Sequence, residues 1–292
     1  MYKFLTPALL AASLMGNPVA AQEEAAPTDP IVVEGTREEV RTQIRNILEP
    51  SGGQLSSFGR GFCPVIIGFD AEWSAILDGY IRENAEKFGL KPKGEKCSPT
   101  AIVVFTDEPQ KLVQGLRKKM PRLFASHYLP EIRRITETVR PAYSWRVTGE
   151  VGRDGAMPSS ASLDGNPNGV PVINAFSASR LYSATNYEIF NAWLVVDINK
   201  TPGMSLRQIA DFATMNLLLD LDEEAVSKAP DGSILELFHA EDPSTVSPGF
   251  STFDEGLLAG LYGAENKSRT ASQQSATIAR SMTRTESEDE QP

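Results

Sequence analysis

Apolar residues recur every four positions from Arg37 to Leu48, where Val40, Ile44 and Leu48 share a face. This spacing predicts an amphipathic helix that Pro50 and Gly52-Gly53 end. A longer stripe of Trp73, Ile76, Leu77, Tyr80, Ile81 and Phe88 predicts a second helix from about Ala71 to Phe88, with Asp70 capping its start and Gly89 its end. Such a face needs a partner. The β-branched run from Ala101 to Phe105, bounded by Pro99 and by Thr106-Asp107, reads as the buried strand beneath it. Pro109 to Met120 predicts another helix, with Asp107 and Gln110 at the spacing of a capping box. From Ala142 to Val151, Tyr143, Trp145 and Val147 alternate with Ser144, Arg146 and Thr148, the period of a half-buried strand. Ala192 to Ile198 predicts a strongly apolar strand, and Ile31-Val32-Val33 a short first one.

Ser205 and Gln208 form a second capping-box signal, opening a helix to about Leu219 whose apolar residues wrap most of its circumference. A helix patterned in that way belongs at the centre of a fold. Ser233 with Glu236 and Thr252 with Glu255 mark two shorter helical starts. Residues 152–170 are dense in Gly, Pro, Ser and Asn and predict a long loop or a pair of turns. Past Gly263 the chain is Ser, Thr, Gln, Arg and Glu, so residues 264–292 are expected to be a disordered tail. The expected fold is α+β. One domain over residues 31–263 carries a mixed sheet of four or five strands, near residues 31, 102, 145 and 194, packed against helices.

The N-terminus changes the compartment. Lys3, the apolar run Phe4 to Met15, the breakers Gly16 and Pro18, and the small residues of Val19-Ala20-Ala21 predict a cleavable signal peptide over residues 1–21. A disordered leader over residues 22–30 follows. The apolar run falls well short of the roughly 20 residues that span a bilayer, so the protein is not expected to be membrane-spanning. Export suits the cysteines: Cys63 and Cys97 are the only two, and they are read as one disulfide contributing about 3–4 kcal/mol. The expected location is outside the cytoplasm, most simply the periplasm. Net charge is −10, and −11 once Lys3 leaves with the signal peptide. An acidic chain lacks the basic face that nucleic acid requires.

Candidate chemistry is sparse. The histidines are His127 and His239, far apart in sequence, and there is no G-x-S-x-G elbow, phosphate loop or dinucleotide fingerprint. His239 with Glu241 and Asp242 reads either as a small transition-metal site or as the polar end of a helix. Asp164-Gly-Asn166-Pro-Asn168-Gly169 matches the first half of a calcium loop, but Ala175 stands where the bidentate Glu belongs, so a polar turn is the better reading. No metal and no cofactor is expected. Asp197, at the end of a buried strand and near the central helix, is the first acid to suspect in a catalytic role, against a plain capping role.

Several segments together carry a resemblance. They are Ile31-Val-Val-Glu-Gly-Thr-Arg37, Cys63-Pro64, Cys97 before Ile102-Val-Val-Phe-Thr106, Leu194-Val-Val-Asp197, Leu206 to Met215, Ser233 to Phe238, and Phe253-Asp254 before Leu257-Leu258 and Leu261-Tyr262. Across residues 31–263 the chain resembles an uncharacterised family of exported proteins from Gram-negative bacteria, which implies a periplasmic location and no assigned activity. The last segments are also similar to part of a secreted zincin-like family, which implies a degenerate zincin-like scaffold. That family's helix needs two histidines one turn apart with a Glu beside the first, and Leu206 to Leu219 contains neither residue type. Ile31 to Arg37 is similar to the start of TonB-dependent receptor plugs, but the chain is too short for their barrel.

Two function classes remain open. One is a non-catalytic binding or accessory protein with an envelope protein as partner; the other is an exported enzyme, a hydrolase working through carboxylates such as Asp197.

Overall fold

The computed structural model describes residues 35–59, 61–94, 96–161, 170–173, 182–222, 224–263 and 267–283. The signal peptide, the leader, the expected strand Ile31–Val33 and the calcium-like turn from Asp164 to Gly169 lie outside the described residues.

The fold is α+β and its centre is a four-stranded mixed sheet. In spatial order the strands are β1 (Pro64–Ile67), β2 (Ala101–Thr106), β6 (Thr185–Asp197) and β3 (Ala142–Gly152). The β1, β2 and β6 strands run parallel, with Thr106 opposite Asp197, and β3 runs antiparallel to β6. The strands expected near 102, 145 and 194 are all present. The β1 strand was not anticipated, because four residues beginning with proline carry almost no pattern. Proline is tolerated there because β1 is an edge strand and Pro64 is its first residue.

Alternation along the strands divides the interior in two. Val103, Phe105, Ala192, Leu194 and Val196 point into the larger core, while Ile102, Val104, Tyr143, Trp145 and Val195 point into the smaller one. The helices α3 (Pro109–Lys119) and α4 (Leu129–Glu137) supply Val113, Ile132 and Ile135 to the smaller core, where Phe124, Trp145 and Trp193 stack face to face. The larger core receives α1 (Arg37–Ile47), α2 (Ala71–Lys87), α5 (Leu206–Leu218), the short α6 (Ala225–Lys228) and α7 (Thr252–Tyr262). Every residue of α5 from Gln208 to Leu218 is buried, as its all-round apolar pattern predicts. Cys63 and Cys97 form the expected disulfide, with Cα atoms 6.2 Å apart.

The structure corrects several expectations. The tail expected over residues 264–292 is not uniformly disordered: α8 (Ala271–Met282) packs against α1 and α7, burying Ile278, Ala279 and Met282. Its Ser, Thr and Gln content concealed a narrow apolar stripe, and the Thr270/Gln273 capping box was its one local signal. The 152–170 segment contributes β4 (Ser159–Ala161), which pairs antiparallel with β5 (Val170–Val172). Glu108, not Asp107, stands at the N-cap of α3, and Gln110 reaches the Glu137 carbonyl instead. The α7 cap is Ser251 with Asp254, one residue before the expected pair, and Ser233 caps only the 3-10 turn Ile234–Glu236. Trp73 and Ile76 stay 49% and 37% exposed, since the first turns of α2 lie by the short edge strand and find little sheet to cover.

Candidate functional site

One of the buried polar networks lies at the carboxyl end of α5. A helix end leaves carbonyls without intrahelical donors, and burial makes that costly. Two side chains from other elements satisfy them: Arg146 of β3 donates through Nη2 to the Asn216 carbonyl, and the Tyr262 hydroxyl of α7 donates to the Leu218 carbonyl at 2.8 Å. A cation there also complements the helix dipole. Arg146 is only 2% exposed, and its Nη1 lies 3.8 Å from a carboxylate oxygen of Asp220. Burial pulls the guanidinium pKa below its ordinary value, while Asp220 and Glu49 act against that shift. The same burial pushes the Tyr262 phenol up. Asp220 is in turn held by the hydroxyls of Ser51 and Ser56, each 2.9 Å from Oδ2.

Those serines belong to the segment between α1 and β1, which has no regular structure beyond isolated bridges but is pinned along its length. Gln54 donates to the Thr185 carbonyl and accepts from the Tyr187 amide. Gln274 of α8 accepts from the Leu55 amide at 2.6 Å and donates to the Leu55 carbonyl at 3.2 Å. The Phe58 amide donates to the Tyr262 hydroxyl, and the Ser57 carbonyl accepts from the Ile189 amide. A loop whose backbone groups are satisfied by fixed partners forms a rigid wall.

A cleft opens on each side of this wall. The first, about 570 Å³, wraps the outer edge of β3 and is lined by Glu49, Ser51, His127, Glu131, Glu150 and Asp220 among others. Its charged groups are engaged in holding the fold. Glu131 accepts from the Tyr128 amide, Glu150 from the Thr185 hydroxyl, and Asp220 from its two serines. His127 meets the Arg146 carbonyl through Nε2 at 3.1 Å, so that nitrogen is the donor, and Ser126 bonds both the amide and the carbonyl of Thr148. These two side chains stand in for the missing neighbour of an edge strand.

The second cleft, about 470 Å³, lies between the wall, the loop after α2, the turn after β3 and the end of α7. The half-buried Leu90 and the largely buried Leu55, Phe58 and Leu261 form the apolar part of its lining, and Lys91, Arg153 and Lys267 stand on its border, all three exposed. Arg153 lies over the Tyr182 ring, 5.5 Å from its centroid, with Arg269 on the same ring at 5.6 Å.

The residues suspected from the sequence lie elsewhere. Asp197 caps the turn Ile198–Lys200, accepting from the Asn199 amide at 3.0 Å and its side-chain nitrogen at 3.1 Å, which is the capping role weighed above. His239 and Glu241 are exposed beyond the turn Ile234–Glu236, and partial burial together with Arg140 holds the His239 imidazole below its usual range. Nothing joins Asp197 to His239 or Glu241 among the described residues, and no group of three His, Cys, Asp or Glu there could hold a metal ion. Arg146 and Asp220 were invisible to sequence reasoning: Arg146 stood at an outward position of an alternating strand, and the network closes only in three dimensions. Compared with family models, curated proteins and solved structures, the chain matches none.

Proposed function

We propose that this is a non-catalytic binding or accessory protein of the cell envelope, residing in the periplasm and acting through its clefts. The observation that carries the reading is the wall itself: Gln54, Gln274, Tyr262 and the Asp220 serines hold an irregular loop in place, so both clefts are formed before anything binds. Preorganisation of that kind lowers the ordering cost of binding. The disulfide is compatible with export, and among the described residues no helix is long and apolar enough to cross a membrane.

The test is crosslinking in cells with tagged protein, followed by purification from the envelope and identification of bound proteins and small molecules. Recovery of one stoichiometric partner or ligand, lost when Asp220 is replaced and the wall released, supports the reading. Protein that comes from the cytoplasm with its cysteines reduced, or that turns over a hydrolase substrate in an Asp197-dependent manner, sinks it.

A further inference from the structure

The second cleft differs from the rest of this acidic chain in the state of its charges. Four of its neutral polar side chains are used internally: both arms of Gln54 and of Gln274 are bonded, the Asn186 carbonyl oxygen accepts from the Ser268 amide and hydroxyl, and the Tyr262 hydroxyl both donates and accepts. A ligand therefore meets a narrow apolar floor, the half-buried Leu90 with the small exposed parts of Leu55, Phe58 and Leu261, and then whatever charge stands at the mouth. Two acids border the cleft, and neither is uncommitted. Asp154 turns back to accept from the Ala156 amide at 2.9 Å, and Glu188 is 8% exposed, has an interaction partner and lies flat against Gly59. The three cations are the reverse case: Lys91, Arg153 and Lys267 form no ion pair among the described residues. Arg153 lies over the Tyr182 ring, a cation–π contact that leaves its charge unneutralised.

We propose that this cleft binds a small organic anion, an apolar body seated on Leu55, Phe58, Leu90 and Leu261 with its carboxylate or phosphate head between Lys91, Arg153 and Lys267. The volume falls within the roughly 300–1,000 Å³ of small-molecule sites. The narrow apolar floor contributes the smaller share of affinity, and the three cations attract the anion and orient the head. The proposal rests on the binding reading above and narrows it to one cleft and one ligand class.

The test is calorimetric titration of the purified protein with four ten-carbon probes: decanoate, decyl phosphate, decanol and decyltrimethylammonium. The two anions bind, decanol binds about tenfold more weakly or worse, and the cation does not bind. Lys91→Ala, Arg153→Ala and Lys267→Ala each weaken the anions by about three- to tenfold, and added salt does the same, because exposed charges are screened. Lys91→Glu and Lys267→Glu, both at exposed positions, serve where Arg153→Ala does not fold. Equal binding of the cationic and anionic probes, or anion affinity unchanged in the charge variants, overturns the proposal. If no probe binds while an envelope protein is still recovered by crosslinking, the anion assignment falls and the broader reading stands; absence of both removes both.

Discussion

The two clefts share a wall and differ in what their charges do. Around the first, Glu131, Glu150, Asp220, Arg146 and His127 each bond to the chain itself, capping a helix, closing a strand edge or fixing a loop. Around the second, Gln54, Gln274, Asn186 and Tyr262 hold the chain, while Lys91, Arg153 and Lys267 form no ion pair among the described residues and Arg153 rests on the Tyr182 ring. A cleft rich in titratable groups is thus the poorer ligand candidate here. Buried charges must be paired to be tolerated, and pairing removes them from ligand chemistry.

The largest effect that tests this contrast is Asp220→Ala. It leaves Arg146 buried beside an empty position and frees two serine hydroxyls, so a loss of about 3–5 kcal/mol is expected in urea denaturation, with damage to both clefts. A loss below about 1 kcal/mol would mean that the network is not their common support. Replacing Cys63 and Cys97 with serine is expected to cost about 3–4 kcal/mol. It loosens mainly the second cleft, since Cys63 follows Phe62 and the Lys93 amide bonds the Phe62 carbonyl. Gln274→Ala strands both backbone groups of Leu55 and is expected to cost about 2–3 kcal/mol, lowering anion affinity while the β3 edge stays intact by amide exchange. His127→Ala frees the Arg146 carbonyl and removes the imidazole 3.5 Å from Glu131, an expected loss of about 1 kcal/mol, with protection changed at the β3 edge and anion binding unaffected.

The smallest effect is a pH trend at a control site outside both clefts. Asp211 on α5 is held above its ordinary carboxyl value by burial, despite the Asn84 and Arg207 groups that favour its charge. Between 3.8 and its higher folded value the folded state binds more protons than the unfolded one, so this group's contribution to stability falls as pH rises. The difference in melting temperature between the native protein and Asp211→Asn, followed from pH 4 to 7, should shift in the direction that sign requires, with no change in probe binding.

Much of the frame was legible because its signals are local. The 3.6-residue period gave α1, α2 and α5, alternation gave β3, and β-branched density gave β2 and β6. Elements whose stability comes from elsewhere were not legible. In α8 the residues are mainly small and polar, and the helix is held by Ile278 and Met282 against α1 and α7 and by Gln274 on Leu55. The β1 strand has four residues and exists because β2 offers it a parallel edge. Asp197 drew attention as an acid at a strand end, yet its carboxylate is engaged by Asn199, an interaction two residues away that sequence does allow for.

By itself the sequence determined the α+β class, the order of most elements, the central place of α5 and the pairing of Cys63 with Cys97. Each follows from the period of apolar residues or from there being a single possible partner. Only the tertiary structure decided which charges are available. Whether Arg146 or Arg153 faces a ligand depends on which distant carbonyl, ring or carboxylate lies beside it, and residues 70 positions apart, such as Arg146 and Asn216, leave no trace of their meeting in the local pattern.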